Sequence, residues 1–356
     1  MSNRLTLQQA PVSVDPFAPA EIARRLEVTS VVRADLPTRN LVLLGLLGGL
    51  YIGFGGALAT LVLTDSTLGF GLGRLAAGLA FSLGLIMLVI AGGELFTGNN
   101  LMLLAFAGRK ISRGAVVRNW GLAYAGNAAG AVLLALAIYL SGVLDGNAVK
   151  ATAVRIAEAK AQLGMGSAFL RGILCNMLVC LAVWLSAAAR SVEGKATAIA
   201  FPITAFVALG FEHCVANLYL LPIGILSGAQ VSAASFLANI GAVTLGNTIG
   251  GAAIAYTWYL IYLANSEDEE PTHTGRKAIE TSSQAPRLRA PAGRLPLITE
   301  PVPSGEHADV DVSDGSSAPQ DASLANIPSA VGLPMPVIDL PNRSPVITRP
   351  ISLARH

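Results

Sequence analysis

The chain is 356 residues long, 53% hydrophobic and only 13% charged, about half the charge of an ordinary soluble protein. Residues 1–265 carry 16 Lys and Arg against 10 Asp and Glu, whereas residues 266–356 carry 8 against 12, with 13 of the 19 prolines. The division excludes a pair of soluble domains; four histidines and three cysteines without a Cys-x-x-Cys give no zinc site and no disulfide framework, and there is no basic aromatic patch for nucleic acid.

Residues 1–39 are punctuated by Arg4, Arg24, Arg25, Arg33 and Arg39, with no apolar run of signal-peptide type between them. They are expected to form a cytoplasmic N-terminal segment with a short amphipathic helix around Pro19–Leu26. Residues 40–265 hold six apolar stretches, each long enough for the roughly 20 residues a helical span needs. They run over roughly 40–64, 74–107, 116–144, 166–190, 196–228 and 238–264. The fold class is an all-α membrane protein of six transmembrane helices.

The second and fifth stretches exceed one simple helix, and polar residues interrupt them: AGGELFTGNN at 91–100 and GFEHCVAN at 210–217. Mid-membrane Glu, His and Asn are costly in lipid, and backbone groups freed by a break must be met by protein or water. Both stretches are therefore expected to be broken helices lining a cavity. A repeat runs through the segment. Asn119, Gly126, Asn127 and Gly130 recur 120 residues later as Asn239, Gly246, Asn247 and Gly250, and Glu94 with Asn99 recurs 118 residues later as Glu212 with Asn217. Three spans per half is an odd number, so the halves insert in opposite senses. This inverted 3+3 repeat places a substrate site near the midplane between them.

Arg109, Lys110, Arg113 and Arg118 follow the second stretch, and Arg190 and Lys195 follow the fourth. Positive-inside logic assigns these loops and both termini to the cytoplasm, in a multi-pass protein of the cytoplasmic (inner) membrane. The mixed loop at 145–165 faces outward. Residues 266–356 are too polar and proline-rich to bury a core and read as a disordered cytoplasmic tail. Its short apolar piece at 331–341 is a possible docking segment.

His213 is the only histidine before the tail, and it falls in the middle of the fifth stretch. It suggests a protonatable group facing a pore, with the Thr97 hydroxyl at the matching break as its partner. Glu94 and Glu212 are buried acids that need partners; Lys160 is a candidate, and Asn99 and Asn217 are expected amide supports. Cys175, Cys180 and Cys214 read as small buried residues, and no cofactor or metal is implied. One histidine without a nucleophile or metal companion does not make an enzyme. An aquaporin-like neutral-solute channel is expected to carry Asn-Pro-Ala at both breaks, and this chain has no such tripeptide.

The stretches FSLGLIMLVIAGGELFTGNN (81–100), NWGLAYAGNAAGA (119–131), RGILCNMLVCLAVW (171–184), GFEHCVANLYLLPIGI (210–225) and VTLGNTIGG (243–251) carry a resemblance to the formate/nitrite transporter family. The resemblance covers roughly residues 20–265. It implies an aquaporin-like plan, a homopentamer with one pore per protomer, and passage of small monovalent weak-acid anions; passive or proton-linked flux is expected, because a bare anion in an apolar constriction costs several kcal/mol. His213, Thr97 and Asn176 match substrate-pore positions of the family. Phe81, Phe206, Leu85 and Leu95 match its constrictions, and Lys160 matches its outer vestibule. The chain departs from the family's formate channels in a short connection between spans five and six, roughly 228–237, and in Asn99–Asn100 after Thr97. Formate and nitrite are the expected substrates; hydrosulfide, acetate and lactate are the alternatives.

Overall fold

The computed structural model describes residues 15–64, 67–146 and 148–264. The tail expected at 266–356, with His273, His307, His356 and the apolar piece at 331–341, lies outside the described residues. Among the described residues there are ten α-helices and one short 3-10 turn. Six helices are long and apolar enough to cross a bilayer: α2 (Thr38–Val62), α3 (Gly69–Ala91), α5 (Arg113–Leu140), α7 (Met165–Ala188), α8 (Val192–Leu209) and α10 (Ala233–Tyr262). The other four are α1 (Pro19–Ala34), α4 (Leu103–Ala107), α6 (Ala148–Ala161) and α9 (Cys214–Leu226). The 3-10 turn, Gly98–Met102, leads into α4.

The capping residues explain where several helices start. Ser112, Ser191 and Ser232 each accept the backbone N–H three residues on, from Ala115, Gly194 and Ser235. The Ser232 cap starts α10 early, so the connection after α9 is only residues 227–232, shorter than the 228–237 expected. Helix α1 runs eight residues past the expected Leu26. Its buried residues Ile22, Ala23, Leu26, Glu27, Ser30 and Ala34 recur at helical spacing and form one stripe. The mixed loop expected at 145–165 is mostly helix α6. Six alanines in its 14 residues supply the propensity that a count of its charges concealed.

Helix α2 packs along α5, and α7 along α10, through glycines that admit the opposing backbone. A Cβ on Gly45 would stand 3.0 Å from the Ala123 carbonyl, and one on Gly172 would stand 2.9 Å from the Val243 carbonyl. Tyr124 of α5 meets Thr244 of α10, 120 residues further on, through their hydroxyls at 2.9 Å. The two short amphipathic helices sit alike. Leu26 of α1 packs with Leu101 and Leu104 of the 3-10 turn and α4, while Ala157 of α6 packs with Leu221 of α9.

Candidate functional site

Helix α8 ends at Gly210, whose φ of +76° turns the chain and lets the Phe211 N–H reach the Phe206 carbonyl. Residues 211–213 then run without helix to α9. One side chain holds this run. Asn247 accepts the Cys214 N–H through Oδ1 at 2.9 Å and donates to the carbonyls of Glu212 (2.9 Å) and Gly172 (2.8 Å). The Glu212 N–H donates to the Arg171 carbonyl. In the first half, α3 ends at Gly92, with φ +93°. Asn127 accepts the Phe96 N–H at 2.9 Å and donates to the carbonyls of Glu94 (2.8 Å) and Gly45 (2.7 Å). The Glu94 N–H donates to the Leu44 carbonyl. Backbone groups that would otherwise be buried without partners are thus met in the same way in both places.

The carboxylates are anchored in parallel. Asn99 donates to Glu94 and to Asn119; Asn217 donates to Glu212 and to Asn239. Lys160 of α6 sits 2.9 Å from both Glu212 oxygens, and Arg33 of α1 sits 3.1 Å from Glu94. Asn239 and Asn119 reach the carbonyls of the same two cations, Lys160 and Arg33. The expected pairing of Lys160 with one buried acid is therefore realised at Glu212. Arg33 was not foreseen, although it stands 127 residues before Lys160, the spacing that also separates Gly45 from Gly172.

His213 is 3% exposed and serves as the N-cap of α9. Its Nδ1 accepts the Ala216 N–H at 3.1 Å, so the neutral ring carries its proton on Nε2. Nε2 stands 3.0 Å from Thr97 Oγ1, and the imidazole therefore donates to the hydroxyl. The Thr97 hydroxyl proton is left to point elsewhere. The structure thus brings together the two residues paired from sequence.

Phe81 and Phe206 meet edge to face at 5.6 Å, and the Phe206 ring stacks at 6.0 Å on His213. They join a cavity of about 610 Å³ that reaches His213, Lys160 and Glu212. Leu85, Leu95, Thr97 and Asn176 are not among its lining residues. Leu85 and Leu95 are buried in the apolar cluster that also holds Phe81 and Phe206. Asn176 is fully buried; its amide nitrogen donates to the carbonyls of Asn247 (2.7 Å) and Thr97 (3.3 Å) and to Asn100 Oδ1 (3.2 Å). That places Asn176 behind the Thr97 segment. Arg74, Arg155 and Arg171 also line the cavity. They were not singled out from sequence, where single arginines in loops and near span ends carry no signal.

A family model described as "Formate/nitrite transporter" matches residues 20–261. The chain is 37% identical over 266 residues to the probable formate transporter of Methanothermobacter thermautotrophicus, covering 69% of this chain and 97% of that protein. It is 32% identical over 276 residues to the formate channel FocA of Escherichia coli (strain K12), covering 71% of this chain and 97% of that protein. Among solved structures it is similar to a "Pentameric formate channel with formate bound", with a TM-score of 0.59 at 37% identity, covering 64% of this chain and 98% of that one.

Proposed function

The chain belongs to the formate/nitrite transporter family, and from that premise we propose that it is a passive channel for small monovalent weak-acid anions, of the formate or nitrite class, moving with a proton. It is a multi-pass membrane protein and not an enzyme. The observation that carries the proposal is the His213–Thr97 hydrogen bond, buried beneath a cation-lined cavity and beside the Phe81–Phe206 pair.

The energetics favour neutralisation. Carrying a bare anion past Phe81, Phe206, Leu85 and Leu95 costs several kcal/mol even after relaxation. Protonating a carboxylate of ordinary pKa at neutral pH costs about 4 kcal/mol. Lys160 and its neighbours draw the anion into the cavity. The proton is then delivered to it where the apolar surroundings make the charge expensive. The tautomer at His213 bears on the donor. A neutral imidazole gives up an Nε2 proton very poorly, and charging it requires a proton on Nδ1, which displaces the Ala216 N–H cap. His213 therefore holds a hydrogen-bond donor toward Thr97 and polarises its hydroxyl, while water in the cavity supplies the net proton.

The architecture follows the same plan. The matched clamps of Asn127 and Asn247, and the Tyr124–Thr244 contact at the 120-residue spacing, support an inverted 3+3 repeat with α3 and α8 as the outer parts of two broken helices. Residues 1–39 are then the cytoplasmic N-terminal segment, 40–265 the channel and 266–356 a cytoplasmic tail, in the inner membrane. The chain is proposed to assemble as a homopentamer, as the relative described as pentameric does. Uptake of formate, nitrite, acetate, lactate and hydrosulfide into vesicles containing the purified protein, corrected for protein-free vesicles, tests the reading. Saturable flux of formate or nitrite above the others is expected. Flux of none of the five overturns the channel reading.

A further inference from the structure

Beyond the attraction they share with Lys160, the three arginines of the cavity have been given no individual role. Arg74 of α3 donates to the Val207 carbonyl at 3.3 Å, and a Cβ on Gly210 would stand 2.8 Å from its Nη2. Arg171 of α7 donates to the Gly210 carbonyl at 3.4 Å. Two guanidiniums from different helices thus converge on the turn that leads from α8 to His213. Arg155 of α6 lines the same space and donates to the Thr152 hydroxyl at 3.1 Å. Each spends one of its five N–H donors on a protein acceptor. The one carboxylate in the lining, Glu212, is already taken by Lys160 and Asn217. Four cations therefore face the cavity with a single, occupied acid.

The repeat does not require this charge. Leu44 occupies the step of Arg171, since its carbonyl accepts the Glu94 N–H as that of Arg171 accepts the Glu212 N–H. The same 127-residue spacing sets Val28 against Arg155. Only the Arg33–Lys160 correspondence is kept. Arg171 and Arg155 thus have no cationic counterpart at the matching positions of the other half.

We propose that this cavity is a binding site for dicarboxylates, held there and not passed. One carboxylate meets the Arg74–Arg171 fork at Gly210, in the bidentate manner guanidiniums favour. The second faces the side of the cavity lined by Arg155. About 610 Å³ accommodates both ends with water. Passage fails on charge: the cost of burying an ion grows with the square of its charge, and two protons rather than one are needed to neutralise the molecule beside Phe81 and Phe206. A dicarboxylate is then a reversible plug of the channel. This inference rests on the channel reading for its effect on flux, although not for binding itself.

The test uses the full-length protein and oxalate as probe, at constant ionic strength set with chloride. Titration calorimetry in detergent measures binding. Formate uptake into vesicles with oxalate on both faces measures block, so that random insertion does not hide it. Saturable binding of one oxalate per protomer and matching inhibition are expected. Arg74→Gln with Arg171→Gln weakens both at least tenfold, Arg155→Gln alone weakens both about threefold, and Arg113→Gln, an exposed residue at the start of α5, changes neither. The single Arg155 variant keeps the test decisive should the double variant fail to assemble. Formate flux without saturable oxalate binding overturns this inference alone, as does unchanged oxalate affinity in folded Arg74, Arg171 and Arg155 variants. Oxalate binding without any anion flux leaves the site in place and overturns the channel reading.

Discussion

Counting from Glu94 and Glu212, the next residue is Leu95 in one half and His213 in the other, and the third is Thr97 against Val215. The supporting residues on either side, Asn99 with Asn217 and Asn127 with Asn247, make matching bonds. The halves diverge where the hydrogen-bonded pair forms. Thr97→Ser keeps an acceptor for Nε2 and is expected to retain flux within about twofold. Thr97→Val removes it, leaves a buried donor without a partner and is expected to cut flux at least tenfold. His213→Leu removes the donor toward Thr97 and is expected to cut flux at least tenfold while the protein still assembles; undiminished flux removes His213 from the mechanism. His213 was legible because it is the only histidine before the tail and falls in the middle of a long apolar stretch, beside Glu212. Arg33 was not, because five arginines in a polar segment give no hint of which one turns inward. Only the course of α1 settles that. Asn176 was read as lining the pore through the resemblance, yet its amide lies behind Thr97 on backbone carbonyls.

Between the helices, stability rests on a few side chains that complete backbone bonding. Asn127→Ala and Asn247→Ala each leave two buried carbonyls and one N–H without their partner, at roughly 1–3 kcal/mol per group. Both variants are expected to lower the melting temperature of the purified protein by similar amounts. A fall in only one would argue against the equivalence of the two clamps. Lys160→Met strands the Glu212 carboxylate, which is 5% exposed, and breaking such a pair costs about 3–5 kcal/mol. Lys160→Met with Glu212→Gln removes the charge as well, and is expected to melt higher than the single variant. Gly246→Leu cannot clear the backbone of α7, and loss of folded protein is expected on chromatography. The six spans were legible from apolar length, and the misplaced Glu, His and Asn fall in or beside the non-helical runs at 92–95 and 211–213. Helix α6 was not, because alanines beside four charges carry little hydropathy in either direction. The clamps were visible as recurring Asn residues, but a recurring letter does not say which carbonyls it will meet.

At the scale of the whole molecule, the family match ends at residue 261. Deleting residues 266–356 is expected to leave both the number of copies in the assembly and formate flux unchanged, and a large change in either would bring the tail into the mechanism. Native mass spectrometry of the detergent-solubilised protein is expected to give five copies. The charge asymmetry between the 1–265 and 266–356 regions was plain from composition, as was the membrane class. The arginine-rich cavity was not, because Arg74, Arg155 and Arg171 come from three separated helices and share nothing in sequence. The central claim is that a weak-acid anion crosses as a neutral pair with a proton, and one recording tests it directly. Formate uptake and internal pH are followed together in vesicles bearing an imposed potassium diffusion potential, with protein-free vesicles subtracted. The account predicts one proton entering per formate and a rate indifferent to the potential. Uptake that follows the potential without internal acidification would contradict it and leave a plain anion channel.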